Sequence, residues 1–164
     1  MILVTIGTNE QPFDRLVRAA AALKTDERLI VQYGSSRAVE PREGWVDFMP
    51  YDELSALAQQ ARVVVCHAGV GSILMARQAG KAAVVMARRY SLGEAVDDHQ
   101  LGLAQRLAAS GLVTLVDDEQ QLAGAVSPAA HGAHLGVETT IVHGMPGASA
   151  LAADLRAQLD RIAA

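Results

Sequence analysis

Cysteine is almost missing from the chain, and the single Cys66 rules out an intramolecular disulfide or a cysteine-cluster metal site. A reducing compartment suits such a composition. Aromatic residues make up only 4%, which argues against a stacking platform for nucleic acid. Basic stripes are absent too: Arg88-Arg89 is the only adjacent basic pair, and the formal charge is −4. A nucleic-acid partner is therefore not expected, although a single phosphate group would need no more than one or two cations. No apolar run reaches the ~18–20 residues that cross a bilayer; the longest charge-free stretch in the apolar middle lies between Arg62 and Arg77 and contains His67 and two glycines. The opening MILVTIGT has no basic leader and reads as a strand running into a turn, not as a signal peptide.

What is present is a core of small aliphatic residues, since 51% of the chain is apolar. At 164 residues the chain suits one domain with a sizeable core. Strand-like runs occur at Ile2–Ile6, Leu29–Tyr33, Val46–Met49, Val63–Cys66, Ala82–Met86 and Val113–Val116. They are continuous and β-branched rather than alternating, as expected of parallel strands covered on both faces. Helical periodicity falls between them, at about Phe13–Leu23, Tyr51–Ala61, Ser72–Ala79, Asp98–Ser110 and Asp118–Val126. Gly80 and Gly111 stand just past two of these helices, and Asp52 and Asp98 near two helix starts. The pattern predicts an α/β, Rossmann-like parallel sheet with helices on both faces. Residues 127–147 hold four glycines and read as a loop or mobile segment, whereas 148–162 return to a helical period with Leu151, Leu155, Leu159 and Ile162 on one face. That face suits either docking to a partner or packing on the chain's own sheet.

Two stretches carry the chemistry. In an open parallel sheet, ligands bind beyond the carboxyl ends of the strands. At one such end lies HAGVGS, residues 67–72, where Gly69 and Gly71 bare the backbone at the start of a helix. The N–H groups of Gly69, Val70, Gly71 and Ser72 suit an anion at the helix's positive end, and a phosphate is the natural guest; equally, the glycines allow a tight strand-to-helix turn. A dinucleotide fingerprint is not met, because Leu74 occupies the third glycine position and no acid follows the next strand at the required distance. This counts against a nicotinamide or flavin protein. No Gly-Lys-Ser/Thr of a Walker loop is present either. The second stretch, RRYSLGEAVDDHQ, residues 88–100, follows the next strand on the same rim. Arg88 or Arg89 suits a phosphate, and Asp98, His99 and Gln100 offer donors and acceptors for sugar hydroxyls, unless the segment is a solvated loop ending in a helix cap.

Taken together, HAGVGSI, AGKAAVVMARR and GEAVDDHQLGLAQRLAASGLV resemble the C-terminal, sugar-nucleotide-binding domain of glycosyltransferase family 28. The similarity is greatest to the short forms that make up half of a two-domain GT-B enzyme, among them catalytic subunits of split GlcNAc-transferases and of exopolysaccharide assembly enzymes. VTIGTNEQPFDRLVRAA and VQYG extend it over roughly residues 1–122. The resemblance implies a UDP-sugar, most simply UDP-GlcNAc, as substrate, with no metal or further cofactor. Gly7 and Thr8 would face the diphosphate, and residues 69–72 would hold it. The Met49 backbone, after Phe48, would pair with the uracil edge, and Gln100, beside Asp98 and His99, would contact the transferred sugar. His67 would act as base or orient the phosphates. The resemblance also implies a membrane-associated partner supplying the acceptor half, and hence a cytoplasmic protein peripheral to the membrane. The chain departs from the family at Met75, where a ribose-binding Glu is common, and at Ala82, Ala87 and Ala95. Met75 favours the alternative of a non-catalytic nucleotide-sugar-binding or assembly module.

Overall fold

The computed structural model describes residues 1–132, which form one compact unit. Most of the expected loop, and all of the C-terminal helix with Leu151, Leu155, Leu159 and Ile162, lie outside the described residues. In chain order the elements are β1 (Ile2–Thr5), α1 (Asp14–Ala21), β2 (Leu29–Gln32), β3 (Trp45–Val46), α2 (Tyr51–Gln60), β4 (Val63–His67), α3 (Val70–Gln78), β5 (Ala82–Met86), a 3-10 turn (Tyr90–Leu92), α4 (His99–Ala109), β6 (Thr114–Val116), α5 (Gln121–Ala125) and α6 (Pro128–Gly132). The six strands form one sheet in the order β3-β2-β1-β4-β5-β6, every pairing parallel.

Strand pleating splits the core in two. Leu3, Ile30, Val64, Cys66, Ala83 and Val85 face α2, α3 and α4, whereas Ile2, Val4, Val31, Val63, Val65 and Val84 face α1 and α5. Helices therefore cover both faces, which is why the strands are continuous in hydrophobicity. Val64 and Val65 are both fully buried although they point in opposite directions. Burial of the Cys66 thiol on the Val64 side pushes its pKa up to about 12, so this thiol is an inert core group.

Several boundaries differ from the sequence reading for local reasons. β3 is only Trp45–Val46, because the Asp47 carboxylate takes the Phe48 N–H at 2.7 Å and turns the chain away, leaving Met49 in a loop. α3 starts at Val70, not Ser72, with Gly69 as its N-cap. α5 starts at Gln121, since Asp118 Oδ1 accepts from the N–H groups of Gln120 and Gln121 and holds a turn there. The expected loop beginning at Ser127 opens instead with the short α6.

Candidate functional site at the carboxyl rim

The chain leaves β1 for β2 and β3 on one side, then returns through β4 to β5 and β6 on the other. The loops after β1 and β4 therefore part company, and a crevice opens at this switch point. Gly7, His67 and Gly69 meet there. Gly7 has φ +77°, and a Cβ built on it would lie 2.5 Å from His67 Cε1; a Cβ on Gly69 would lie 2.1 Å from His67 Nε2. Both glycines make room for the imidazole. Gly71 is different: nothing lies within 4 Å of a Cβ built there, so no packing demands its bareness.

α3 begins with no side-chain cap. The first intrahelical bond runs from Ile73 N–H to Gly69 C=O at 3.1 Å, so the N–H groups of Val70, Gly71 and Ser72 have no partner within the helix. Three donors and the positive end of a nine-residue helix thus converge beside an exposed glycine.

His67 is neutral at physiological pH. Burial is the main cause, the nearby Arg88 charge adds to it, and the Thr5 backbone opposes it weakly; the net effect lowers the imidazole to about 4. Its buried Nδ1 makes no hydrogen bond among the described residues. A base is best matched to a pKa near the working pH, so this environment suits a neutral hydrogen-bonding or orienting group better than a proton acceptor.

Arg88 departs from the sequence reading. It is fully buried, donating to the carbonyls of Ile6 (3.0 Å), Gln11 (2.8 Å), Pro12 (3.3 Å) and Glu94 (2.9 Å), with its guanidinium 4.7 Å from the Phe13 ring centre. It buttresses the loops after β1 and β5 from below and touches no ligand surface. Desolvation brings its pKa to about 10, with Glu94 opposing the shift, so it remains charged. Sequence reasoning overlooked its companions. Glu94 accepts from Arg15 Nε (3.1 Å), Arg15 Nη2 (2.8 Å) and the Arg89 N–H (3.0 Å), while Arg15 also donates to the carbonyls of Ala87 and Asp117. Arg15 and Glu94 are both buried. The signal available in sequence was an arginine one helical turn from Ala19, on the inward face of α1.

The remaining candidates sit on the same rim. Thr8 is exposed and lines a cleft with Phe48; Met49 is buried, yet among the described residues its backbone N–H and C=O enter no hydrogen bond. Asp98 does not cap α4 with its side chain; it accepts from the Tyr90 N–H at 2.9 Å. Asp97 takes the His99 N–H at 3.0 Å and its Nδ1 at 2.8 Å, and the His99 N–H is the main reason the Asp97 carboxyl titrates low. Gln100 is half-buried with an unpartnered Oε1. No hydrogen bond ties Asp98, His99 or Gln100 to the glycine loops among the described residues. Met75 is 1% exposed and belongs to the same buried cluster as Met49 and Leu54.

A parallel sheet of this strand order, with a glycine-bared helix start at its switch point, defines a Rossmann-like α/β domain of the ligand-binding kind. The description of the glycosyltransferase family 28 C-terminal domain matches residues 1–136, and the chain belongs to that family. Among solved structures it is similar to the glycotransferase of kitacinnamycin, at 18% identity and a TM-score of 0.53, over 83% of this chain and 38% of that one. That likeness shows a shared fold and that the chain spans less than half the length of its structural neighbour. A comparison with curated proteins finds no match. No described helix is long and apolar enough to cross a membrane.

Proposed function

We propose that this domain is the donor-binding part of a glycosyltransferase and takes a UDP-sugar, most simply UDP-GlcNAc, for transfer to a lipid-linked or polysaccharide acceptor. The observation that carries it is the start of α3, where the N–H groups of Val70, Gly71 and Ser72 are unpartnered beside an open glycine in a family 28 domain. These donors and the helix dipole favour the diphosphate, and they favour it more as negative charge builds on the leaving group. Gly7 and Thr8 close on it from the β1 side. Neutral His67, wedged between Gly7 and Gly69, orients the phosphates. Buried, charged Arg88 adds positive potential from beneath without contact. Met49 offers an unpaired backbone edge to the uracil, and Gln100 an unpaired amide oxygen to a sugar hydroxyl.

In this reading the base comes from the acceptor side, supplied by a membrane-associated partner or further domain, and the protein works at the cytoplasmic face. A second reading, a nucleotide-sugar-binding module without catalysis, is favoured by Met75, which puts an apolar buried side chain where the family commonly has a carboxylate. Titration calorimetry with UDP and UDP-GlcNAc tests the donor site: saturable binding that weakens on Gly71→Val supports it, and absence of binding at millimolar nucleotide overturns it. Transferase activity with a partner, lost on Gln100→Ala, separates enzyme from module.

A further inference from the structure

The segment that leaves β5 is held from below and carries apolar side chains above. Leu92 N–H and Glu94 N–H both donate to Arg89 C=O, at 3.2 and 3.1 Å, and Gly93 N–H donates to Tyr90 C=O at 2.9 Å. Asp98 Oδ1 accepts from Tyr90 N–H and draws the end of the segment back to its beginning. Beneath, Arg88 donates to Glu94 C=O and Arg15 to the Glu94 carboxylate. On this support Tyr90 is 63% exposed, Leu92 56% and Val96 76%. Large apolar groups held out into water on an ordered backbone lose little entropy when a second surface covers them, which is the property of an interface anchor.

The surroundings of these three residues are acidic. Asp97, hydrogen-bonded to His99, and Asp98 follow Val96 directly, and Asp117 and Asp118 stand just past β6, where Arg89 Nη2 ties Asp117 to the segment. All four carboxylates belong to exposed residues. Arg15 and Arg88 are buried on protein acceptors and Arg89 is paired with Asp117, so the charge turned outward is negative.

That charge selects what covers the patch. An anionic bilayer is repelled by it. A second copy of this chain offers cations at its amino end, where Arg28 and Lys81 precede β2 and β5. It offers no apolar counterpart there, because the other exposed large hydrophobic residues, Phe48, Tyr51 and Leu74, lie after β3 or on α3 among the described residues. The chain's own residues 148–162 have apolar positions, but Asp154 and Asp160 balance Arg156 and Arg161, so they bring no complementary charge. What fits is a separate protein surface with an apolar centre and basic edges. The chain spans 38% of its structural neighbour, and the neighbour's remaining length is the kind of body to which such a surface belongs.

We infer that Tyr90, Leu92 and Val96 form the centre of a docking surface for a separate subunit, one that presents apolar side chains ringed by Lys and Arg. Calling that subunit the acceptor half rests on the glycosyltransferase reading; the interface itself does not. The test places a photo-crosslinking phenylalanine analogue at Leu92 of the full chain, or at Lys24 as an amino-end control, in cells that make this protein. A polypeptide captured from Leu92 and not from Lys24 is then purified and titrated against the full chain by calorimetry, alongside UDP. Leu92→Asp and Val96→Asp are each expected to weaken its binding roughly 10-fold or more, and Asp97→Asn roughly 2–5-fold, with UDP affinity held within about twofold. Raising salt from about 50 to about 500 mM is expected to weaken the complex roughly 10-fold. No capture at Leu92, capture there of a second copy or of this chain's own tail, or an affinity that neither aspartate substitution moves, overturns the inference. So does a complex that salt leaves unchanged or strengthens. Subunit binding without UDP binding sinks the donor reading alone, and UDP binding without subunit binding sinks the interface alone.

Discussion

The two ends of the sheet use charge in opposite ways. At the amino end, the Met1 ammonium meets Glu27 at 2.8 Å, and Arg62 joins the same carboxylate while donating to the Val126 carbonyl. These groups fasten the chain start, the turn before β2, the α2–β4 connection and the end of α5, and they sit near solvent. At the carboxyl end, the Arg15–Glu94 pair and Arg88 are buried beneath the rim, holding the loops from below. Above them the α3 start keeps its donors unpartnered. Binding groups stay available at one end because buried charges, not the binding groups themselves, hold its loops in place.

That contrast can be broken at the buried end first. Glu94→Gln leaves Arg15 without its counter-charge and is expected to cost about 3–5 kcal/mol, read as a fall in the urea midpoint; a loss under 1 kcal/mol would show that the network is not a support. Next in size comes His67. Its folded pKa of about 4 lies below the 6.5 of the unfolded chain, so the unfolded state takes up the proton first. Stability from this group is complete above pH 6.5 and declines as pH falls toward 4, by about 1.4 kcal/mol per unit. His67→Asn should flatten that slope, and an imidazole that titrates near 6.5 by NMR would contradict its buried placement.

The paired glycines sharpen the comparison at the open end. Gly69→Ala forces its Cβ into the His67 ring and is expected to cost about 1–3 kcal/mol. Gly71→Ala meets open space inside a helix and should be neutral or stabilising by up to ~1 kcal/mol. Equal losses in thermal melts would mean that both glycines are there for packing. The smallest effect belongs to the amino end. Hydrogen bonds from Arg62, then from the Met1 ammonium, lower the Glu27 carboxyl from 4.5 to about 2. Its contribution is present above pH 4.5 and lost as pH falls toward 2. Near solvent it amounts to about 1 kcal/mol or less, and Glu27→Gln should erase that part of the acid slope.

Much of the fold was legible from residues alone. Continuous valine-rich runs meant strands covered on both faces, and six strands stand where such runs occur. β3 was misjudged because one carboxylate, Asp47, ends it after two residues, an event no periodicity reveals. At the site, the glycine loop was visible as a bared backbone. The difference between Gly69 and Gly71 was not, since it depends on where the His67 ring lies. Arg88 looked like a rim cation because it follows a strand directly. Its inward course is set by Glu94 and Phe13, six residues ahead and 75 behind, which lie beyond any local pattern.

By itself, then, the sequence determined the layering of the domain, the rim on which chemistry belongs and, through HAGVGS and DDHQ, its family. Those are consequences of hydrophobic period and of motifs that are local in the chain. Only the tertiary structure decided which polar groups are free. A buried charge takes its partners from distant segments, as Arg88 does with Ile6, Gln11, Pro12 and Glu94, and which glycine is packed against His67 and which stands open is likewise settled only by the folded chain.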